Sequence, residues 1–547
     1  MQKSIKQSKA VFKGAFILTI AAIVTKILSA FYRIPFQNIV GDVGFYIYQQ
    51  VYPFYGMAVV LSTTGFPVVI SKLYAEQKEK GDVVRSRLLL FASYLFLQVF
   101  GIICFLILFL GAEEIADGMN DSHLTILLKI VAIVFLTFPI SSLLRGYYQA
   151  VGDMVPTALS QVGEQSIRVL TIILLSSIFM NKGLSLYLVG GGAMFGSITG
   201  SILSAIILFM FLRIRKEWKI IQPVKGMFQK YKKEIGAIWK ALFFQGLMIC
   251  ISGMLMIFTQ LADSLNLYSL LVANGMETEL AKSVKGVFDR GQPLIQLGTV
   301  AATSMSLTLV PLITRARLTS KREELHKHIQ LALKVSIVVG VGASAGLWAI
   351  IEPTNMMLFE NKSGSSVLGI LSFVIFFTSI ISTIIAIMQG MGKVWYPAFA
   401  VVMVFPVKYL LNVLFIPIAG IKGAAVSSLI SLAIVTLILM GGFRKITTGR
   451  IFVNGYLRTV LTATISMVLF LKGYLYITDY FFAYFEVERL GAAVQSISAV
   501  IIGGFLFLLM IIRGGTFCEE ELALFPLGSK FIHLLARKDR SEHGERN

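Results

Sequence analysis

Lys26 and Arg33 stand seven residues apart in FILTIAAIVTKILSAFYRIPF, a stretch otherwise free of charge. At about 100° per residue they share one face of a helix, about 10 Å apart along its axis. Asp289 and Arg290 pose a related problem in VFDRGQPLIQLG, where two charges and Pro293 run into the apolar TVAATSMSLTLVPLI. Adjacent residues on a helix point about 100° apart, so this pair cannot simply neutralise itself. One side chain is expected to face a cavity and the other a neighbouring helix. Cations held in a low-dielectric space attract anions, so Arg290 reads as an anion ligand on a helix start loosened by Pro293. The plainer alternative is an ion pair at the outer interface. Arg33 is either a cavity cation or a residue snorkelling from the outer end of its helix, while Lys26 lies deeper. Glu164 and Arg168 are four apart in the order that favours an intrahelical pair, so they form either a structural pair or a ligand site. Lys408 and Asn412 share a helix face with no acid at that spacing.

Such charges need a scaffold that shields them. Of 547 residues, 56% are hydrophobic and 14% charged, with a mean hydropathy of +0.79, which excludes a soluble domain and places the chain in a membrane. A bilayer core of about 30 Å takes about 20 apolar residues per helix. The sequence predicts an all-α integral membrane protein with fourteen such runs: 14–34, 45–71, 88–111, 124–144, 155–180, 184–212, 236–262, 287–313, 329–351, 366–391, 395–416, 420–443, 456–478 and 490–512. The first is too long for a cleaved signal peptide, and no matching cleavage site follows it. Lys and Arg concentrate in the N-terminal tail, the even-numbered connections and the C-terminal tail, above all in RIRKEWKIIQPVKGMFQKYKKEI at 213–235. The connection GAEEIADGMNDSH after the third run is acidic. By the positive-inside rule both termini are expected in the cytoplasm, and the net charge of +20 faces anionic lipid rather than nucleic acid.

An internal repeat is suggested at an offset of 240, which aligns Pro53 with Pro293, Gln149 with Gln389 and Arg168 with Lys408. Two parallel six-helix lobes around a central cavity are then expected, at 1–235 and 236–445, with 446–547 adding two helices and a tail. The glycines of GGGAMFGSITGS (190–201) and GVGASAG (340–346) lie inside membrane helices, so they read as close-packing positions and not as nucleotide loops. His123, His326, His328, His533 and His543 all fall in connections or tails. The three cysteines, Cys104, Cys250 and Cys518, form no metal spacing or disulfide framework. No catalytic group, metal or cofactor is expected.

The stretch VFDRGQPLIQLGTVAATSMSLTLVPLI resembles the eighth helix of the MurJ-type lipid II flippases and the related stage V sporulation protein B group, in the multidrug/oligosaccharidyl-lipid/polysaccharide exporter superfamily. FILTIAAIVTKILSAFYRIPFQNIVG and TTGFPVVISKLYAEQKEKGD resemble the first helix of that group and the close of its second. The resemblance implies a flippase that carries an undecaprenyl-pyrophosphate-linked saccharide, lipid II first among them, from the inner to the outer leaflet by alternating access. It implies that Lys26, Arg33 and Arg290, with Asp289 beside them, hold the pyrophosphate. Arg168 and Lys408 join these as the substrate-binding set. Membrane lipids and cell-wall synthesis proteins are the implied partners.

Two departures stand out. The family's arginine after the helix 2 proline is missing, since Pro53 is followed by FYGMAVV. A family sodium site maps to Asp263 and Asn412, yet Lys408 stands one turn before Asn412, where the protein itself supplies a cation. Flippases for teichoic, capsular or spore saccharides would share all these features. A multidrug exporter should carry acids deep in its cavity, and a membrane glycosyltransferase should carry a large outer loop.

Overall fold

In lipid an apolar run has no water to bond its backbone, and helix formation satisfies every N–H and C=O within the segment. The computed structural model describes residues 2–222, 226–307, 313, 317, 322–444, 456–484 and 488–523, and every regular element among them is helical. Twelve stretches of these residues are long and apolar enough to cross a membrane. The chain is a multi-pass membrane protein.

Two of the twelve are too long for one crossing. Ile17–Glu79 and Trp395–Arg444 have 63 and 50 residues, about 95 and 75 Å at 1.5 Å per residue. Each merges two runs predicted from the sequence, and each contains a glycine in the positive-φ region, Gly41 at 69° and Gly420 at 55°. Glycine takes that backbone without a Cβ clash, so the helix axis breaks there. The predicted run 236–262 is instead divided, at Gly253 and Met254, into Lys232–Ser252 and Leu255–Ala273. The run 287–313 lies only partly within the described residues.

The elements that build the site are α1 (Gln2–Phe31), α2 (Arg33–Val60), α3 (Phe66–Glu79), α4 (Val83–Leu110), α5 (Val134–Ala150), α6 (Val155–Asn181), α7 (Leu186–Ile214), α8 (Leu255–Ala273), α9 (Thr278–Asp289), α10 (Gly291–Leu307) and α11 (Val404–Arg444). A π-helical turn, Leu61–Gly65, joins α2 to α3. By backbone proximity the chain divides into two compact units, Met1–Pro293 with Lys393–Ser427 and Leu294–Gly392 with Ser428–Asn547.

A 240-residue interval recurs between helices of the two units, each taken separately. The first holds helices Thr125–Ala132 and Val134–Ala150; the second holds Ser365–Ser372 and Val374–Gly390. Ser365 follows Thr125 by 240 residues, and Gly390 follows Ala150 by the same interval. Both longer helices then turn on a positive-φ glycine, Gly152 at 82° and Gly392 at 75°. Their N–H groups donate to the carbonyls of Gln149 and Gln389 at 3.1 and 2.8 Å.

The small residues of α7 do pack closely. A Cβ on Gly196 would lie 3.0 Å from the Arg168 carbonyl oxygen, and one on Gly200 2.7 Å from that of Glu164. Bare backbone lets α7 press against α6 at these two residues, which fixes where their side chains point.

Candidate anion site and buried ion pairs

Tyr32 separates α1 from α2 but keeps helical angles, and its N–H still donates to the Leu28 carbonyl at 3.2 Å. Lys26 and Arg33 therefore lie on nearly continuous helix, yet Lys26 is exposed and Arg33 is buried. The Arg33 guanidinium lies 4.3 Å from the centre of the Tyr52 ring and 5.9 Å from that of Tyr32. Arg168 reaches the same rings from α6, at 5.2 Å from Tyr32 and 5.7 Å from Tyr52, and lies 4.0 Å over Tyr55. It donates to the hydroxyls of Tyr48 at 2.6 Å and Tyr32 at 3.0 Å, and to Gln165 Oε1 at 3.3 Å. Those two hydroxyls are themselves 2.7 Å apart.

The cluster has a definite electrostatic character. Phenol oxygens and ring faces stabilise a guanidinium but carry no formal charge to cancel it. Arg168 is 1% exposed, and among the described residues no carboxylate forms an ion pair with it. A buried cation held this way attracts an anion far more strongly than one in water.

Glu164, expected one turn before Arg168 as its partner, turns instead to Arg145 of α5 at 2.7 Å. Arg145 is fully buried and also donates from Nε to Ser160 Oγ at 3.0 Å, from Nη2 to Ser204 Oγ at 2.8 Å, and from Nη1 to the Ser62 carbonyl at 3.2 Å. The Ser62 carbonyl belongs to the π-helical turn, whose backbone geometry presents it to the side chain. A cavity of about 10 Å³, room for one water, adjoins Ser62, Ser141, Glu164 and Ser201. Because Glu164 keeps some access to this space, Arg145→Ala is expected to cost about 3 kcal/mol, the low end for a broken buried pair. Thermal melting of the purified chain checks this; melting together with the native chain would assign the pair no role in stability.

Asp289 and Arg290 do not open a helix. They sit at the joint between α9 and α10, with the break at Arg290 and Pro293 in the first turn beyond it, where a missing N–H costs little. The two charges part as the helical geometry requires. Asp289 accepts from Lys285, one turn back, at 2.8 Å. Arg290 is fully buried and forms a fork with Asp42: Nε to Oδ1 at 2.9 Å, and Nη2 to Oδ1 and Oδ2 at 2.6 and 2.7 Å. Gln37 also donates to Asp42 Oδ1 at 2.9 Å. Gly286 lies against the Asp42 backbone carbonyl, a closeness that excludes any side chain there.

A third group joins α8 to α11. Lys408 bonds to Asp263 Oδ2, while Asn412 Nδ2 donates to Asp263 Oδ1 at 3.0 Å and to Asn266 Oδ1 at 2.9 Å. Asn266 in turn donates to the Tyr409 carbonyl at 3.0 Å. All four side chains are buried. A tight, fully hydrogen-bonded geometry of this kind is what makes a buried ion pair tolerable.

Residues 11–317 match the family described as polysaccharide biosynthesis protein. The chain belongs to that family. It is 42% identical to an uncharacterized membrane protein, YabM, of Bacillus subtilis over 97% of this chain and 98% of that protein. It is 26% identical to the lipid II flippase MurJ of the same organism, over 92% and 95%. The solved structure of lipid II flippase MurJ in an inward closed conformation shares the fold, with a TM-score of 0.65 at 16% identity over 90% of this chain and 98% of that one. The likeness to the MurJ and stage V sporulation protein B group of that exporter superfamily holds.

Of the candidate residues in this family member, Arg33 and Arg168 converge on one set of rings, and Asp263, Lys408 and Asn412 on one hydrogen-bonded group. Arg290 and Asp289 each already have a protein counter-charge, and Lys26 stands apart in the open. Sequence reasoning missed Asp42, Lys285, Arg145 and the tyrosines. The tyrosines had a signal: in FYIYQQVYPFY, Tyr48, Tyr52 and Tyr55 follow at helical spacing and line one face beside Pro53.

Proposed function

We propose that this chain is a flippase for an undecaprenyl-pyrophosphate-linked saccharide, lipid II first, moved from the inner to the outer leaflet by alternating access and without catalysis. The observation that carries this reading is the pair of buried guanidiniums sharing the rings of Tyr32 and Tyr52. A pyrophosphate matches two guanidinium forks in charge and in geometry. The rings beside them offer faces on which an adjoining sugar can stack. Arg168 also answers the missing helix 2 arginine. Its guanidinium over Tyr55 stands two residues past Pro53 on that same wall.

The proposal keeps fourteen crossings, cytoplasmic termini and two six-helix lobes at 1–235 and 236–445, followed by 446–547. It also gives Lys408 the place of a sodium ion at Asp263. The test is complementation: the native chain is expressed in a bacterium depleted of its own lipid II flippases, and lipid II exposure on the outer leaflet is followed. Restored exposure is expected. Failure at normal expression would move the cargo to another polyprenyl-linked saccharide.

A further inference from the structure

A cavity of about 230 Å³ lies at the far end of α3 from the tyrosine cluster, lined by Tyr74, Lys78, Asp82, Ser86, Arg87 and Ile220, among others. The turn that shapes it begins at Gly81, with φ at 72°, and Asp82 then caps α4 by accepting from the Arg85 N–H at 2.9 Å. The Asp82 carboxylate also pairs with the Arg85 side chain at 3.5 Å, so the one acid of the lining is already engaged. Ser86 Oγ is committed to the Asp82 carbonyl at 2.8 Å. The two cations are not committed. Neither the Lys78 nor the Arg87 side chain forms a hydrogen bond or ion pair among the described residues, and Arg87 Nε is buried without a partner.

Three features select the ligand. The uncommitted charge of the cavity is positive, and its far wall belongs to the connection 213–235, which carries eight Lys and Arg against two acids. Trp218, in the same short turn as Ile220, is 53% exposed, as expected of an indole at the headgroup level of a bilayer. Val83 and Val84 are exposed beside the cations, so the mouth is apolar where acyl chains would begin. A soluble anion gains nothing from those valines; a lipid gains from both parts.

We propose that this cavity binds the phosphate of an anionic glycerophospholipid, with Lys78 and Arg87 on the phosphate oxygens and Val83 and Val84 against the upper acyl chain. The site is separate from the tyrosine cluster and does not depend on which saccharide the protein carries.

Native mass spectrometry of the full detergent-purified chain, titrated with phosphatidylglycerol, phosphatidylcholine or inorganic phosphate, tests it. Phosphatidylglycerol adducts are expected to form about tenfold more readily than phosphatidylcholine adducts. That preference should vanish in Lys78→Gln/Arg87→Gln and persist in Lys80→Gln, whose side chain lies outside the lining. Lys78→Arg should retain it, which separates loss of charge from loss of fold. An undiminished preference in the double Gln variant overturns the proposal. So does inorganic phosphate competing away the lipid at equal concentration, which would make this a site for a free anion.

Discussion

Arg168→Ala is expected to lower saccharide-lipid exposure on the outer leaflet by about a hundredfold while leaving the protein in the membrane and at least as stable as before. The two halves of this result come from one fact. Arg168 is buried against Tyr55 at 4.0 Å and donates to Tyr32 and Tyr48, but no carboxylate of the described structure pairs with it. Burying an ion without a counter-charge opposes folding, so removing it relieves a cost of several kcal/mol before relaxation and water entry reduce it. The lost phenol hydrogen bonds restore about 1 kcal/mol of that cost each. A phosphate fork on the same guanidinium supplies charge-assisted bonds of about 1.5–3 kcal/mol apiece, and losing about 2.7 kcal/mol at the transport barrier is a factor of about one hundred.

Arg168→Lys should recover little, because an ammonium can neither lie flat on Tyr55 nor fork to two phosphate oxygens. Outer-leaflet exposure of lipid II, read beside the melting temperature of each variant, checks the result. Arg168→Ala that melts early and flips normally would mean that this arginine is structural. The contrast with Arg145 is internal to the molecule: that arginine has Glu164 at 2.7 Å, so its loss should reduce stability.

The membrane class and the helical character of the apolar runs were legible because they rest on composition and spacing. The interval that aligned Arg168 with Lys408 also aligns the bounds of Val134–Ala150 with those of Val374–Gly390. Pairing was less legible. Glu164 and Arg168 have an ideal spacing for each other, yet Glu164 lies within reach of a cation on another helix, and a tertiary ion pair displaced the local one. Asp42 could not be identified from spacing, since it is 248 residues from Arg290 and follows a glycine that breaks α2. The joint at Arg290 was read as a helix start because Thr278–Asp289, with its four charged residues, does not look like a membrane run. That amphipathic character is instead what lets α9 bury Lys285, Asp289 and Gly286 on one side.

Lys408→Ala is expected to destabilise the chain by about 4 kcal/mol and to make transport depend on sodium, whereas the native chain flips equally well in sodium and potassium media. Asp263 is 3% exposed and holds Lys408 on one oxygen and Asn412 on the other. Taking away the ammonium strands a buried carboxylate, which is the costly way to break such a pair. The freed Asp263 Oδ2 is then an oxygen ligand of the hard kind that an alkali cation accepts, with Asn266 Oδ1 held nearby through Asn412 Nδ2. Sodium would restore the charge balance that Lys408 supplies covalently in the native chain, and its binding would raise the melting temperature as well as the rate. Asp263→Asn combined with Lys408→Met should regain most of the stability, because no ion is then left unpaired, but should show no response to sodium. Transport assays in the two media, with melting curves for each variant, distinguish these outcomes. A native chain that requires sodium, together with a Lys408→Ala chain that behaves identically, would remove Lys408 from the coupling site and leave it a structural partner of Asp263.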